Sequence, residues 1–516
     1  MKQKSYSLML VVILILSIFL GGCKKNPKER VEDPPVKEEE ELIIAQGADA
    51  RTLDPHGSND QLSARVMTQI YDTLIYQNEN MELEPGLASE WIQIDETTYE
   101  FTLKEGVLFH NGEEMTAYDV KFTLLRGMES RQVSGVLGIL DPEKLVVYDR
   151  YTIRIGTKAP FSPVLAHLAH SASSILNEKA VTEAGENYGT NPIGTGPYRL
   201  VNWVQEKMIH LEKFEGYFNQ DARIKSIKFM IIADGENRIA GLEAGEIDIS
   251  YDVPPIDIAI IEKDEKLNLL RTPNFSITSV GFNIERGAFK DIRVRQAINH
   301  AVDMAAIVEA VYYGVGYQAT GPLGPNVWAA HQKLVPYKYD IDLAKALMED
   351  AGFGDGFKAT IWTNENLQRI DIANILHNQL KAINIDLEVK VVDWDTYLDV
   401  TESGQHDMFL FGWVTVTGDP DYGLYSLFHS SQVGTGGNST FYKNEDVDIL
   451  LDAARAETDL DSRKEYYRII QEIIRNDAPM VFTWVGEDII ATQKNVKGFI
   501  QHPSGTHRLN TVFFED

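Results

Sequence analysis

Between residues 359 and 411 the hydrophobic pattern changes period in a way that few architectures can satisfy. Ala359-Thr360-Ile361-Trp362 reads as a short strand, Ile370 to Leu380 as a helix, Ile385, Leu387, Val389 and Val391 alternate strictly with polar residues, and Phe409-Leu410-Phe411 is a buried run. A strand, a helix and a second strand in that order predict a βαβ unit, with the helix laid across an α/β sheet. The fold class expected is therefore α/β.

Other stretches fit the same class. Leu42 to Ala45, ending at Gly47, reads as a buried strand, and Tyr99–Leu103 and Tyr151–Ile155 alternate as half-buried strands. Thr116 is placed to cap a helix running to about Leu125, with Asp119 as its capping-box partner. Ile227–Ile232, Asn237–Ala244 and Ile247–Ile249 read as strand, helix and strand. Asp291 is expected to cap one long helix whose apolar face carries Val294, Ala297, Ile298, Ala301, Ala305, Val308 and Val311. A final helix spans about Arg463 to Arg475.

The chain has 516 residues, 44% of them hydrophobic, so it is globular in composition but too long for one compact core. Two or three lobes are expected. The formal charge of -29 argues against nucleic acid as a partner, because such binding needs a basic footprint. It also argues against broad adhesion to anionic lipid.

The first residues carry a different message. Lys2 and Lys4 precede the apolar run Leu8–Leu20, and Gly21-Gly22 lead to Cys23. A basic start, a short apolar stretch and small residues describe a secretory signal. The run is shorter than the roughly 20 residues a bilayer span needs. Cys23 is the single cysteine, which excludes an internal disulfide or a multi-cysteine zinc site. The arrangement resembles a bacterial lipobox. It assigns 1–22 to the signal peptide, Cys23 to lipidation, and 23–41, with its prolines and charge runs, to an extended tether. The expected location is extracytoplasmic, lipid-anchored to a bacterial cell membrane.

Six motifs in order carry a family resemblance. They are Asp54-Pro55 with Tyr71-Asp72-Thr73-Leu74; Leu103 to Gly112 followed by Thr116 to Val120; Pro192 to Tyr198; Gly281-Phe282-Asn283; Arg293 to Ile298; and Gly418-Asp419-Pro420-Asp421. Nearly the whole mature chain thereby resembles the bacterial extracellular solute-binding proteins of family 5, receptors for oligopeptides, dipeptides, glutathione and nickel. The resemblance implies a three-lobed periplasmic-binding-protein-like fold of class II, with two α/β lobes hinged about a ligand and a smaller inserted lobe. Lobe I would comprise 42–75, 193–275 and 490–516, lobe II 76–192 and lobe III 276–489. It implies a non-enzymatic monomer that binds a peptide-like ligand without a cofactor. It also implies delivery of that ligand to an ABC permease with its ATPase subunits.

The chemistry of a peptide sets the site. Enclosing it takes an ammonium and a carboxylate out of water, so an acid and an arginine fork should meet them. Ligands of α/β sheets sit beyond the carboxyl ends of strands, which selects the loop after Phe411: Trp413, Asp419, Asp421 and Tyr422. Turn chemistry around Pro420 is the competing role for at least one of the two acids, and Trp413 reads equally well as a core residue. Arg369, at the start of the helix from Ile370, is the candidate carboxylate clamp. In the dipeptide receptors an aspartate follows the tryptophan and binds the ammonium. Val416 stands there in this chain, and Trp413 to Gly418 is closer to the glutathione branch. Gly194, Gly196 and Pro197 read as a hinge or crossover with unusual backbone angles.

Two other readings compete. His167 and His170, with His110, His300 and His429 elsewhere, would suit nickel or haem receipt on the same fold. A secreted hydrolase using a carboxylate pair is the alternative from another class, although Gly-x-Ser-x-Gly and His-Glu-x-x-His are both missing.

Overall fold

The computed structural model describes residues 40–219, 222–434 and 437–515. The residues expected to form the signal peptide, the lipidation site Cys23 and the tether as far as Glu39 lie outside the described residues. Glu41, expected in the tether, is buried and opens the first strand, Glu41–Gln46, where Lys228 pairs with its carboxylate at 2.8 Å.

One 11-stranded sheet runs through the molecule. Its order is Ile385–Val391, Phe357–Thr363, Met408–Val414, Leu267–Phe282, Met480–Gln493, Ile249–Ser250, Glu41–Gln46, Ser226–Ile231, Met208–Lys213 and Tyr198–Val204, with the short Tyr317–Gln318 beside Met480–Gln493. The βαβ unit is present. Phe357–Thr363 pairs in parallel with Ile385–Val391, and the helix Leu367–Gln379 connects them. A second, four-stranded antiparallel sheet contains Ala88–Asp95, Thr98–Leu103, Thr152–Gly156 and Val146–Asp149.

Burial follows this division. One core gathers Leu42, Tyr71, Tyr198, Phe229, Ile490 and Leu509, from both ends of the chain and its middle. Another has its buried residues between 74 and 175, including Phe101, Phe109 and Ile153. Two more fill the region from 275 to 485, one around Ile298, Ile361 and Leu410, the other around Phe428, Leu451 and Tyr467. Met81 leaves its own neighbourhood and packs into this last core.

Two strands link the halves. Leu267–Phe282 and Met480–Gln493 are antiparallel partners along most of their length, and their register breaks between Pro273 and Ile277. Proline has no amide hydrogen for the ladder, so the break falls where pairing is weakest. Asn274 fills the gap. Its Oδ1 accepts from the Ser276 N–H at 3.0 Å, and its Nδ2 donates to Asp488 Oδ1 at 2.9 Å.

The capped helices mostly follow the sequence. Thr116 N–H donates to Asp119 Oδ2 at 2.9 Å at the start of Ala117–Glu129. The helix expected from Asp291 is two helices. Ile292–Ala301 stops at Val302, and Asp303 caps Met304–Tyr312 by accepting from the Ala306 N–H. Asp is a strong N-cap and a poor mid-helix residue, so an unbroken apolar stripe spans a capped break.

Candidate ligand-binding cavity

A cavity of about 690 Å³ lies where these cores approach one another. Its wall includes Thr73, Tyr76 and Arg508 beside the first core, His170 and Ser174 from the second, and Phe275, Val414 and Val416 from the C-terminal half. The register break between the linking strands therefore opens onto this space, through Asn274, Phe275 and Ser276. A volume of this size suits a small organic ligand.

The floor is built from the end of one helix. Asp60 caps Gln61–Ile70 by accepting from the Ser63 N–H at 2.9 Å, and the chain leaves the helix at Tyr71. The segment Gly194-Thr195-Gly196 crosses this helix end. A Cβ on Gly194 would stand 2.1 Å from the Ile70 carbonyl oxygen, so close approach demands the glycine. Unusual backbone angles, the expected reason, do not apply, since neither Gly194 nor Gly196 has a positive φ. His110 braces the crossing, its Nε2 donating to the Gly196 carbonyl at 2.9 Å. Burial pushes its imidazole down to about 4.

This crossing delivers Thr195 to Asp72, whose carboxylate has no exposed surface. Tyr76 Oη donates to Asp72 Oδ1 at 2.6 Å, Thr195 Oγ1 to Oδ2 at 3.0 Å and Tyr217 Oη to Oδ1 at 3.3 Å. Arg508 Nη1 adds a fourth donor at 3.1 Å. The guanidinium lies 3.6 Å from the centroid of the Tyr76 ring. Burial pulls its pKa down, but the neighbouring Tyr76 and Asp72 outweigh this and hold it above the ordinary arginine range. The backbone around Arg508 is fixed from both sides by the buried Gln69, which donates to the His507 carbonyl at 2.7 Å and accepts from the Leu509 N–H at 3.0 Å.

The residues selected from the sequence are distributed differently. Asp419 caps the helix Pro420–Phe428 and is closed off by Arg463, whose Nη1 and Nη2 donate to its two oxygens at 2.6 and 2.7 Å. Asp421 accepts from Arg455 Nε and Nη2 at 2.8 and 3.0 Å. Neither acid lines the cavity. Each of the two candidate acids is already held by a two-pronged arginine contact. Trp413 packs against the C-terminal core with Tyr422 beside it, ring centroids 5.8 Å apart, and both stand outside the cavity wall. Arg369 Nη1 donates to Asn364 Oδ1 at 3.1 Å, also outside that wall. Val416 does line the cavity, so the position where the dipeptide receptors carry their aspartate faces the space as an apolar side chain.

Sequence reasoning missed Arg508 and Tyr76, and singled out His170 only for metal. Asp72 stood in a quoted motif, but the arginine it holds is 436 residues away. The histidines form no metal centre: among the described residues no group of three or more His, Cys, Asp or Glu side chains is placed to hold an ion. His167 is committed to the Val136 carbonyl at 2.7 Å. His170 Nδ1 accepts from the Ala172 N–H at 3.1 Å, and burial pushes its imidazole down to about 4.

The model of the bacterial extracellular solute-binding proteins, family 5, middle region, matches residues 82–435. The chain belongs to this family. The glutathione-binding protein GsiB of Salmonella typhi is 30% identical over 475 residues, covering 90% of this chain and 93% of that protein. Among solved structures, HbpA2 from Haemophilus parasuis superposes with a TM-score of 0.86 at 27% identity, covering 92% of this chain and all of that one. The periplasmic binding protein DppA from Helicobacter pylori, in complex with the peptide STSA, gives 0.74 at 29% identity, covering 92% and 98% of the two chains. These likenesses make the molecule a periplasmic-binding-protein-like α/β receptor of the class set out above. Its family consists of solute-binding proteins found outside the cytoplasm.

Proposed function

We propose that this protein captures a peptide-like zwitterion, of dipeptide, oligopeptide or glutathione type, and hands it to an ABC permease unaltered. The observation that carries this reading is the cavity of about 690 Å³ walled by segments from all three core regions, with an arginine in its floor. Asp60, Glu79 and Glu84 also reach the wall. A site with one guanidinium and several carboxylates suits a ligand bearing both charges. The family match, and relatives that include a glutathione-binding protein and a peptide-bound one, favour the same class.

In this reading lobe I is 42–75 with 193–275 and 490–516, lobe II is 76–192 and lobe III is 276–489. The break at Pro273–Ile277 serves as the hinge. Ligand favours the closed form by its greater affinity for it, and closure brings Arg369, Trp413 and Tyr422 toward the cavity, with Arg369 taking a carboxylate. Glu79 and Glu84, both exposed near the wall, replace the aspartate that Val416 lacks. The lipid at Cys23 and the tether hold the body near the permease.

Native mass spectrometry of the purified protein, followed by calorimetric titration with the co-purifying compound, tests the proposal. A bound peptide recovered with unchanged mass is the expected result. Recovery of nickel or haem instead, or cleavage of the compound on incubation, would refute it.

A further inference from the structure

We infer that Glu487 is a latch on the back of the hinge, whose contacts with Gly316 and Tyr317 set how readily the cleft shuts and so how tightly ligand is held. The inference rests on the hinged, ligand-binding reading above, and it names a regulator of that site, not a ligand for it.

The two linking strands divide at the break between Pro273 and Ile277. On one side Leu267, Leu270, Ile489 and Ile490 pack with the first strand of the chain. On the other, Val280, Phe282 and Val481 pack in a C-terminal core. Successive side chains of a strand point to opposite faces, so Asp488 and Glu487 part company here. Asp488 meets Asn274, in the cavity wall. Glu487 faces the other way, toward Arg271, Gly316 and Tyr317, and none of these lines the cavity.

The Glu487 carboxylate, which has no exposed surface, joins the two sides of the break. From the first side, Arg271 Nε and Nη2 donate to Oε1 and Oε2, each at 2.8 Å. From the second come the Gly316 N–H, to Oε2 at 3.1 Å, and Tyr317 Oη, to Oε1 at 3.2 Å. The segment carrying this second pair is fixed to the C-terminal half. Tyr312 stacks on Trp484 with centroids 3.9 Å apart, Trp484 Nε1 donates to the Val315 carbonyl at 2.8 Å, and Tyr317–Gln318 pairs with Trp484 and Val485. A Cβ on Gly316 would stand 2.1 Å from Trp484 Nε1, so the glycine lets the segment lie against the indole.

A hinge that shuts on its cavity face draws its back faces apart. Shutting the cleft therefore pulls Gly316 and Tyr317 off Glu487. The carboxylate is not stranded, because Arg271 stays on it with both prongs and the penalty of an unpaired buried ion is avoided. What closure gives up is two hydrogen bonds to a charged acceptor. Such a latch biases the open form and still yields to ligand.

Removing a latch tightens binding, whereas damage to a fold or a site weakens it. Tyr317→Phe deletes one latch bond from a half-exposed side chain, and Glu487→Gln weakens both. Calorimetric titration with glutathione and with Ala-Ala should give dissociation constants roughly threefold to thirtyfold below those of the parent. Thr272→Val is the control. Its lost bond, to Gln501 at 3.0 Å, lies wholly on the first side of the break, and its affinity should match the parent's. Single-molecule energy transfer between dyes at Glu90→Cys and Glu388→Cys, on a Cys23→Ser background, reads the shut fraction without ligand. That fraction should rise in the latch variants by the same factor as the affinity. Unchanged or weaker binding, or an unchanged shut fraction, in both latch variants would overturn the inference, as would equal tightening by Thr272→Val. If neither peptide binds any of these proteins, the peptide reading fails, and the shut fraction alone then decides for or against the latch.

Discussion

Two buried carboxylates in this molecule each hold an arginine, with opposite outcomes. At the Asp419 site both partners are sealed: the Arg463 side chain is 3% exposed and Asp419 7%. At the Asp72 site the acid is equally sealed but the arginine is 32% exposed, in the wall of a cavity. The first pair spends its whole fork internally, and Arg463 also donates to Tyr467 Oη at 2.9 Å. The second spends one nitrogen. Both acids of the Asp419-Pro420-Asp421 motif are held by arginines away from the cavity, while the arginine in the cavity wall comes from a stretch with no pattern. The burial of an acid does not separate the two roles. What the arginine has left over does.

The largest test of that contrast is to break the sealed pair. Asp419→Asn leaves Arg463 charged and enclosed, which should cost about 3–5 kcal/mol of stability. Urea unfolding of the ligand-free protein reads this directly. Folded molecules of the variant should bind ligand as the parent does, because Asp419 does not reach the cavity. A loss below about 1 kcal/mol would mean that water reaches the pair, and the contrast with Asp72 would weaken.

A somewhat smaller effect concerns the open pair. His110 braces the Gly194–Gly196 crossing that carries Thr195 to Asp72. Its pKa falls from the ordinary 6.5 to about 4, chiefly through burial, and Arg199 adds to the lowering while Asp72 and the bond to Gly196 oppose it. The unfolded chain therefore binds the proton more readily than the native one. Stability is present in full above about pH 6.5 and declines as pH falls through 6.5 toward 4, by an amount on the order of 3 kcal/mol at the lower end. Unfolding free energy measured from pH 7 to 4.5 should drop, and His110→Gln should flatten the slope by about one proton. An unchanged slope would show that some other group sets the acid sensitivity. His56 and His170, also lowered to about 4, act with the same sign.

How much of this was readable in advance follows from range of interaction. The βαβ unit at 357–391, the capping box at Thr116 and the strand at 41–46 are set by local period and local caps, and the sequence carries them. The break at Asp303 was hidden because the apolar stripe continues across it, although the aspartate itself was a visible cap. Met480–Gln493 and the second half of Leu267–Phe282 escaped notice because they are buried on both faces along most of their length, which erases alternation. Of the cavity wall, Val416, Tyr71 and Thr73 stood in quoted family motifs, but nothing local marked them as facing one space. Arg508 could not be found, because its partners Asp72, Tyr76 and Gln69 lie more than 400 residues away, and a lone arginine in an irregular segment has no signature.

The smallest predicted effect is the most discriminating about exposure itself. Arg455 is 28% exposed, nearly as much as Arg508, and it also stacks on a ring, 3.1 Å from the Tyr425 centroid. If exposure alone marked a ligand-facing arginine, Arg455 would qualify. Its Nε and Nη2, however, are both taken by Asp421, and it stands outside the cavity wall. Arg455→Lys keeps one charge contact and loses the paired geometry and the flat stacking surface, so it should cost about 1–2 kcal/mol in unfolding free energy. Its ligand affinity should match that of the parent in a glutathione titration in which Arg508→Lys binds more weakly. The two variants alter the same chemical group at almost the same accessibility. If both lose affinity, accessibility governs and what the arginine has left over does not; if only Arg508→Lys does, the unspent nitrogens are what turn an ion pair into a binding site.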